Sequence, residues 1–333
     1  MTKRLASGCL AVSFAALAAP AWAAEDCGRI SIAEMNWASA GLAAQVDKII
    51  LEEGFGCTVE LVAGDTMPTF TSMNEKGEPD MAPELWVNAV RTPLEAAVEE
   101  GRMVIAAQIL KDGGVEGWWI PRYLAEAHPE IDSVEKALEH PDLFPAPEDA
   151  SRGAVHNCPS GWNCQVSTEN LFRALGAEDR GFDLVDTGSA AGLDGSIANA
   201  YEREAGWLGY YWAPTAILGK YDMVRLPFSV PHDKAAWDAC TAVPDCADPE
   251  VNSYPVSEVF TAVTPSFAEK AGVAMDYVKA RSWSNETVGQ LLAWMDESQA
   301  TNEDAAYHFL ETYPDLWRAW LPADVADRVA SAL

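Results

Sequence analysis

The sequence predicts an α/β protein built as two lobes. Residues 29–36 and 58–62 have the alternating pattern of strands, and residues 41–53 between them place their apolar side chains on one face of a helix. Strand and helix patterns continue to alternate further along, which predicts a mostly parallel sheet. About 310 residues follow the N-terminal leader described next. That length is too great for one ordinary core and suits two.

Residues 1–23 predict a cleaved signal peptide. A basic start is followed by an apolar run at 10–19, and the small residues Ala21 and Ala23 fit cleavage after position 23. A lipoprotein signal ending at Cys9 is the alternative, but the apolar run follows that cysteine instead of preceding it. No later stretch approaches the roughly 18 apolar residues of a spanning helix. We therefore expect an exported, periplasmic protein.

The charge of the mature chain limits its partners. Without the leader it has 51 acidic and 20 basic residues, a formal charge of −31. Nucleic acids and anionic membrane surfaces would be repelled by such a chain. A solvated acidic surface is the simplest explanation of the charge, and attraction of cationic ligands is a second one.

The six cysteines outside the leader fall into three close pairs. They predict three local disulfides, which are Cys27 with Cys57, Cys158 with Cys164, and Cys240 with Cys246. Six cysteines allow 15 connectivities, so the pairing rests on proximity and on an oxidising compartment. Metal binding by Cys158 and Cys164 is the alternative, but neither a CxxC spacing nor a nearby histidine pair supports it.

Motifs for catalysis are missing from the sequence. None of the five histidines stands in an HExxH spacing, and neither GxSxG nor a glycine-rich phosphate loop occurs. His156 lies near Cys158, yet that cysteine has a better partner in Cys164. We expect no catalytic residues and no cofactor. The acidic residues are too numerous to single out a metal site.

Tryptophan is unusually frequent, with 13 in the chain and 12 after the leader. Those in or near the helical C-terminal third are assigned to packing: Trp237, Trp283, Trp294, Trp317 and Trp320. Trp207 stays open. That third is expected to form a helical cover, with Leu291, Trp294, Phe309 and Leu310 in its core.

Four other tryptophans lie at strand ends or in loops, where open α/β sheets bind ligands. They are Trp37, Trp86, Trp162 and Trp212. A quaternary ammonium has no N–H to donate, but its charge can be surrounded by ring faces. Each such cation–π contact contributes roughly 0.5–2 kcal/mol. These residues therefore predict a cage for a methylated-amine cation.

Four segments carry a resemblance to a known family. Residues 32–37, 80–86, 114–121 and 208–214 resemble the ABC-transporter substrate-binding proteins for glycine betaine, choline and related compounds. The resemblance implies a non-enzymatic receptor with the type II periplasmic-binding fold, in which a ligand cleft separates two lobes. It also implies a membrane permease with its ATPase as the partner. Lobe one is expected at 24–115 plus 216–333, and lobe two at 116–215.

The resemblance also implies the cage residues. Trp37, Trp86 and Trp212 match the family's cage positions. An aromatic residue often projects from the crossover strand, and Trp118 and Trp119 compete for that place. Strand alternation groups Trp118 with Glu116, and this is the side we favour.

Departures from the family pattern bear on the ligand. Choline receptors look to have an acidic residue where this chain has Ser39, so choline and carnitine are less favoured. The loop at 158–164 carries Trp162 as a possible fourth ring and Asn163 as a donor to an oxygen. Glu84 and Glu116 are either exposed or directed at the cleft, and in the second case they favour trimethylamine N-oxide over glycine betaine.

The expected ligand is therefore a betaine-type zwitterion or trimethylamine N-oxide. Two other functions stay open. One is an exported enzyme that acts on amine osmolytes, and the other is a ligand-sensing receptor subunit.

Overall fold

A computed structural model describes residues 27–88 and 90–333 of the chain. The predicted signal peptide lies outside the described residues. Within these described residues, ten strands form two separate sheets of five. The strands are β1 (Arg29–Met35), β2 (Thr58–Gly64), β3 (Met81–Trp86), β4 (Val104–Gln108), β5 (Val115–Pro121), β6 (Gly153–His156), β7 (Phe182–Val185), β8 (Gly209–Ala213), β9 (Met223–Leu226) and β10 (Val259–Val263).

Helices cover both sheets. In chain order the α-helices are α1 (Ala38–Ile49), α2 (Thr66–Lys76), α3 (Arg91–Glu99), α4 (Arg122–Ala127), α5 (Val134–Ala137), α6 (Asn163–Ala174), α7 (Ala190–Glu202), α8 (Ala216–Lys220), α9 (Lys234–Ala236), α10 (Pro265–Lys270), α11 (Val273–Ala280), α12 (Asn285–Ser298), α13 (Asn302–Thr312), α14 (Pro314–Arg318) and α15 (Ala323–Ala332). Residues Ile50–Gly54 and Trp237–Thr241 are π-helical turns, and Pro141–Leu143 is a 3₁₀ turn.

The expectation of a mostly parallel sheet is confirmed, because four of the five strands in each sheet run in the same direction and one is reversed. In the first sheet, ordered β2-β1-β3-β10-β4, β1 is parallel to both neighbours, but β10 is antiparallel to β3 and β4. In the second, ordered β7-β6-β8-β5-β9, β5 is antiparallel to β8 and β9. Both β5 and β10 are the first strands formed after the chain passes from one sheet to the other, and a strand that enters from the opposite lobe runs against its neighbours.

The chain passes between the sheets twice, from β4 to β5 and from β9 to β10. The sheets define two lobes, as the sequence predicts, with the first lobe built from both ends of the chain. The predicted division at 115/116 and 215/216 remains a prediction. Because β9 (Met223–Leu226) pairs with β5, a division by sheet would place the second crossing after residue 226.

The C-terminal helices pack on the first lobe. Helix α13 lies against α1, and Leu291, Phe309 and Leu310 are buried there as expected. Trp294 differs from the prediction, since it is only half-buried and stacks on His308 at a ring distance of 3.8 Å. Trp294 packs against the edge of the core as a partly buried residue. In the part of the chain that is described, no helix combines the length and apolarity needed to cross a membrane.

The three predicted disulfides are all present. Cys27 pairs with Cys57, and the bond joins the chain just before β1 to the residue before β2. The other two bonds each close a short loop, one between Cys158 and Cys164 and the other between Cys240 and Cys246. The first of these loops enters the site described next.

Candidate ligand-binding site

A small cavity lies between the two lobes and is walled mainly by aromatic rings. About 260 Å³ of space free of protein atoms lies among its lining residues, and part of that space is open to solvent. Its lining residues are Trp37, Thr66, Trp86, Trp162, Asn163, Cys164, Tyr210 and Trp212. The four tryptophans predicted as ligand contacts at strand ends and loops therefore come together around one space.

The first lobe supplies two of the rings. Trp37 follows β1 and is the residue at which α1 begins, while Trp86 is the last residue of β3. Strands β1 and β3 are parallel neighbours, so their carboxyl ends meet at one edge of the sheet. Trp37 and Trp86 are only 6% and 5% exposed.

The second lobe supplies the opposite wall. Trp162 lies in the Cys158–Cys164 loop, immediately before α6, and Trp212 lies in β8. The Trp162 ring meets the Trp37 ring edge-on at 5.4 Å and the Trp212 ring edge-on at 5.0 Å. Such edge-to-face packing is a favoured geometry for aromatic rings and fixes their faces relative to one another. Tyr210, two positions before Trp212, presents its side chain on the same face of the strand.

Hydrogen bonds hold the second-lobe loop against the first lobe. Trp162 Nε1 donates to Asn36 Oδ1 at 2.7 Å, and Asn163 Nδ2 donates to the main-chain oxygen of Trp86 at 2.9 Å. The Met67 amide donates to the Gly161 oxygen at 3.1 Å. The cavity is thus closed by direct contacts between the lobes.

Gly161 has a conformation that the loop requires. Its φ is +92°, and a Cβ at this position would lie 3.1 Å from Asp65 Oδ2. A left-handed backbone is costly for residues with a Cβ, so only glycine brings the loop this close to the first lobe. Burial raises the pKa of Asp65, which is partly offset by hydrogen bonds from Trp162 and Asn36.

Glu84 lies beneath the two first-lobe rings. Its Oε1 accepts hydrogen bonds from Trp37 Nε1 at 2.7 Å, from Trp86 Nε1 at 2.9 Å and from Ser39 Oγ at 2.8 Å. Glu84 is fully buried, so the exposed alternative is wrong. It does not line the cavity. Among the described residues its Oε2 has no hydrogen-bond partner.

The pKa of Glu84 is raised by burial, because a buried carboxylate loses its hydration. The hydrogen bonds from Trp37, Trp86 and Ser39 act in the opposite direction, and so does the positive charge of Arg281. Arg281 is itself fully buried and is paired with Asp47 at 2.7 Å.

Two residues predicted as ligand contacts lie away from the cavity wall. Strand β5 pairs Glu116 with Trp212 and Trp118 with Tyr210, so all four lie on one face of the second sheet. Trp118 is nevertheless fully buried against Phe228, with ring centres 5.8 Å apart. Trp119 lies on the other face and donates its indole N–H to the main-chain oxygen of Tyr211 at 3.0 Å.

Glu116 is also buried, so its exposed alternative is wrong as well. Its Oε1 accepts from the Tyr210 hydroxyl at 2.7 Å, and its Oε2 accepts from Asn88 Nδ2 and Ser257 Oγ. Tyr210 therefore stands between Glu116 and the cavity. Burial raises the pKa of Glu116, opposed by the hydrogen bonds from Ser257, Tyr210 and Asn88.

Two lining residues were not singled out from the sequence. Thr66 begins α2 directly after the end of β2 and is buried. Tyr210 is the second. Stepping back two residues from Trp212 along a strand would have identified it, because residues i and i+2 share a face.

Three helices begin at the cavity. Trp37, Asp65 and Trp162 are the residues before the first turns of α1, α2 and α6, and none of their side chains caps the amides of those turns. In α2 the Met67 amide already donates to the Gly161 main-chain oxygen and Pro68 has no N–H, so fewer free amides remain there. Helix N-termini carry a partial positive charge and unpaired N–H groups. Among the described residues that line the cavity, none is Lys or Arg. Although the described wall has no cationic side chain, it can therefore attract a negatively charged oxygen of a ligand through the helix N-termini.

Metal binding and a role for His156 are the other chemical possibilities that can be compared with the described residues. No cluster of three or more His, Cys, Asp or Glu side chains there is placed to hold a metal ion. His156 is buried and stacks on Trp207 at 5.1 Å, and its Nδ1 lies 3.1 Å from the Leu208 oxygen. Burial lowers the pKa of His156 to about 4, so the ring is neutral at pH 7.

Known proteins share both the sequence pattern and the fold. Residues 28–312 match the family model for the substrate-binding domain of the ABC-type glycine betaine transport system. The trimethylamine N-oxide-binding protein of Pelagibacter ubique (strain HTCC1062) is 24% identical over 316 residues, which are 92% of this chain and 95% of the relative.

Two solved structures have the same fold at lower identity. An ABC-transporter choline-binding protein in complex with choline has a TM-score of 0.73 and 16% identity, over 92% of this chain and 98% of that one. The glycine/betaine/L-proline-binding protein (ProX) of Borrelia burgdorferi has a TM-score of 0.71 and 18% identity, over 90% and 99%. The family match covers most of the chain, and the chain belongs to the family of substrate-binding domains of ABC-type glycine betaine transport systems.

Proposed function

We propose that this protein is the periplasmic receptor of an ABC importer for a small methylated amine, and that the cavity between the lobes holds the ligand's cationic head. The observation that carries the proposal is the enclosure of one cavity by four indoles and Tyr210. Methyl groups on a quaternary nitrogen offer no donor hydrogen, so ring faces are the side chains suited to them. Closure of the lobes removes water and strengthens each contact.

The polar end of the ligand is an oxygen that carries negative charge. The N-termini of α1, α2 and α6 face the cavity, and they favour such an oxygen over a neutral hydroxyl. Glycine betaine and trimethylamine N-oxide both present one, whereas choline ends in a hydroxyl. Ser39 at the position where choline receptors look to have an acid also argues against choline.

Trimethylamine N-oxide is the better fit of the two. Its charges lie on adjacent atoms, so it suits a small aromatic cavity whose lining has neither Lys nor Arg to pair with a carboxylate. The similarity to a trimethylamine N-oxide-binding protein along 92% of the chain supports the same choice.

Titration of the mature protein with trimethylamine N-oxide, glycine betaine, choline and carnitine tests the proposal. Tryptophan fluorescence reports binding, because the rings line the cavity. We expect the first two ligands to bind more tightly than the last two. No response to any of the four at millimolar concentration would refute the proposal. Recovery of chemically unchanged ligand after prolonged incubation distinguishes a receptor from an enzyme.

A further inference from the structure

The Glu116 carboxylate joins three distant parts of the chain. It is 1% exposed and lies at the start of β5, just after the first crossing between the lobes. Asn88, in the first lobe, and Ser257, in the second crossing segment, donate to its Oε2. Tyr210, in the second lobe, donates to its Oε1 at 2.7 Å. Each carboxylate oxygen is thus hydrogen-bonded, and its partners come from both lobes.

The two crossing segments meet next to this carboxylate. The Gly114 amide donates to the main-chain oxygen of Ser257 at 2.7 Å, and the Ser257 amide donates to the main-chain oxygen of Gly114 at 3.2 Å. Any rotation of one lobe against the other must bend the chain in these segments, because they are the two connections between the sheets. Residues 114 and 257 therefore belong to the hinge.

The hinge also touches the cavity wall directly. A Cβ on Gly114 would lie 2.2 Å from a ring carbon of Trp86. The missing side chain of Gly114 leaves the space in which the Trp86 indole sits. One cage ring thus rests on the hinge backbone, and another ring, Tyr210, is tied to it through Glu116.

We propose that Glu116 is a positioning residue that couples the hinge to the cage, acting through Tyr210 and not by touching the ligand. The inference rests on the proposed function of the cavity. A buried carboxylate is costly when its hydrogen bonds are broken, so it favours the arrangement in which all its partners are in place. Asn88 and Tyr210 belong to different lobes, and both reach Glu116 when the lobes are closed. Closure and placement of the Tyr210 ring therefore occur together.

The variant Tyr210→Phe tests the coupling, since it keeps the ring and removes only the hydroxyl. Tyr211→Phe is the matched control. Tyr211 is the next residue in the same strand, and its hydroxyl donates to a different buried carboxylate, Asp194 Oδ1, at 2.5 Å. Ser257→Ala removes a partner of Glu116 that lies in the hinge and does not line the cavity.

The readout is the dissociation rate of trimethylamine N-oxide or glycine betaine, followed by stopped-flow tryptophan fluorescence. We expect Tyr210→Phe and Ser257→Ala each to speed dissociation roughly two- to tenfold, the range for loss of one buried hydrogen bond. Tyr211→Phe should stay within about twofold. In the double variant the two effects should not multiply, because both act through one carboxylate. A variant that misfolds would instead reduce the number of binding sites.

Two results would overturn the inference. If ligand dissociates from Tyr210→Phe and Ser257→Ala at the wild-type rate, the proposed coupling is refuted and the proposed function is unaffected. Failure of the wild type to bind any methylated amine would refute the proposed function, and the inference with it.

Discussion

The indole nitrogens of Trp37 and Trp86 donate to the same oxygen of Glu84, at 2.7 Å and 2.9 Å. One acceptor therefore fixes the rotation of both first-lobe rings. It also places a carboxylate at the edge of the rings whose faces form the cavity wall. A negative charge there strengthens the attraction of a cation to those faces, since the negative ring face and the carboxylate both attract positive charge.

Replacing Glu84 with Gln should weaken cation binding without removing the cage. The Gln side-chain oxygen can still accept from the indoles, but the charge is lost. We expect a cost on the order of 1 kcal/mol, or roughly fivefold in affinity. Calorimetric titration with glycine betaine and with 3,3-dimethylbutyrate, its uncharged-head isostere, should show a smaller preference for the cation in the variant. Ser39→Ala is the control, because it removes one hydrogen bond and keeps the charge; equal loss in both variants would contradict the charge effect.

Each cage tryptophan should be needed for affinity. Changing Trp37, Trp86, Trp162 or Trp212 to Ala should each cost about 1–3 kcal/mol of binding free energy through lost cation–π contact and lost packing. Trp294→Ala should leave affinity unchanged, because that ring is half-buried against His308 away from the cavity. Fluorescence titration of the five variants measures this. Similar losses at Trp294 and at the cavity positions would rule out the cage.

The Cys158–Cys164 disulfide should matter more for binding than for stability. It closes the loop that carries Trp162, and without it the loop must be ordered when the ligand binds. We expect the Cys158→Ser, Cys164→Ser double variant to bind several-fold more weakly, within the roughly 2 kcal/mol that closing so short a loop can contribute.

A matched control exists for this disulfide. Cys240 and Cys246 are also six residues apart, and neither lines the cavity. Their double Ser variant should change the free energy of unfolding and leave affinity unchanged. Equal affinity in the two double variants, measured by the same titration, would mean that the Trp162 loop needs no covalent closure.

Stability should decrease between neutral pH and about pH 5 through His156. Burial lowers its pKa from an ordinary value near 6.5 to about 4, so in this range the unfolded chain binds the proton and the folded chain does not. The contribution of His156 to the free energy of unfolding is therefore fully present above pH 6.5 and decreases toward pH 4. At pH 5 about 2 kcal/mol of it has been lost. Urea unfolding of wild type and His156→Gln at pH 7.5 and pH 5 measures the difference.

Asp194 titrates in the same range with the opposite sign. Burial raises its pKa to about 6, so its folded form gains a proton first as the pH falls and this contribution to stability increases. Asp194→Asn should therefore make the acid-induced loss of stability steeper, while His156→Gln makes it shallower. Identical pH profiles for the wild type and both variants would contradict the assignments.

The convergence of the four cavity tryptophans could be predicted because their places follow from topology. Trp37 and Trp86 follow parallel strands whose carboxyl ends meet, and residues at such ends converge whatever the details of packing. Trp162 could be predicted from its disulfide-closed loop. The reversal of β5 and β10 could not be predicted, since the two crossings leave no mark on the periodicity of either strand.

The sequence could not predict which residues on one face of a strand reach the cavity and which are buried in the core. Alternation correctly groups Glu116 with Trp118, but it gives the face of a strand and not which positions on that face reach the cavity. Successive residues on one face are roughly 7 Å apart, so a shift of one place separates a cavity wall from a buried core. The place of Glu84 could not be predicted from alternation either, because all six residues of β3 are buried.

A crystal structure of the protein with trimethylamine N-oxide or glycine betaine tests the central claim most directly. We expect the methylated nitrogen within about 6 Å of the ring centres of Trp37, Trp86, Trp162 and Trp212, the range of a cation–π contact. Its oxygen should face the first turns of α1, α2 or α6, and Glu116 should remain bonded to Tyr210. A ligand nitrogen in direct contact with Glu116 or Trp118, or bound outside this cavity, would contradict the account.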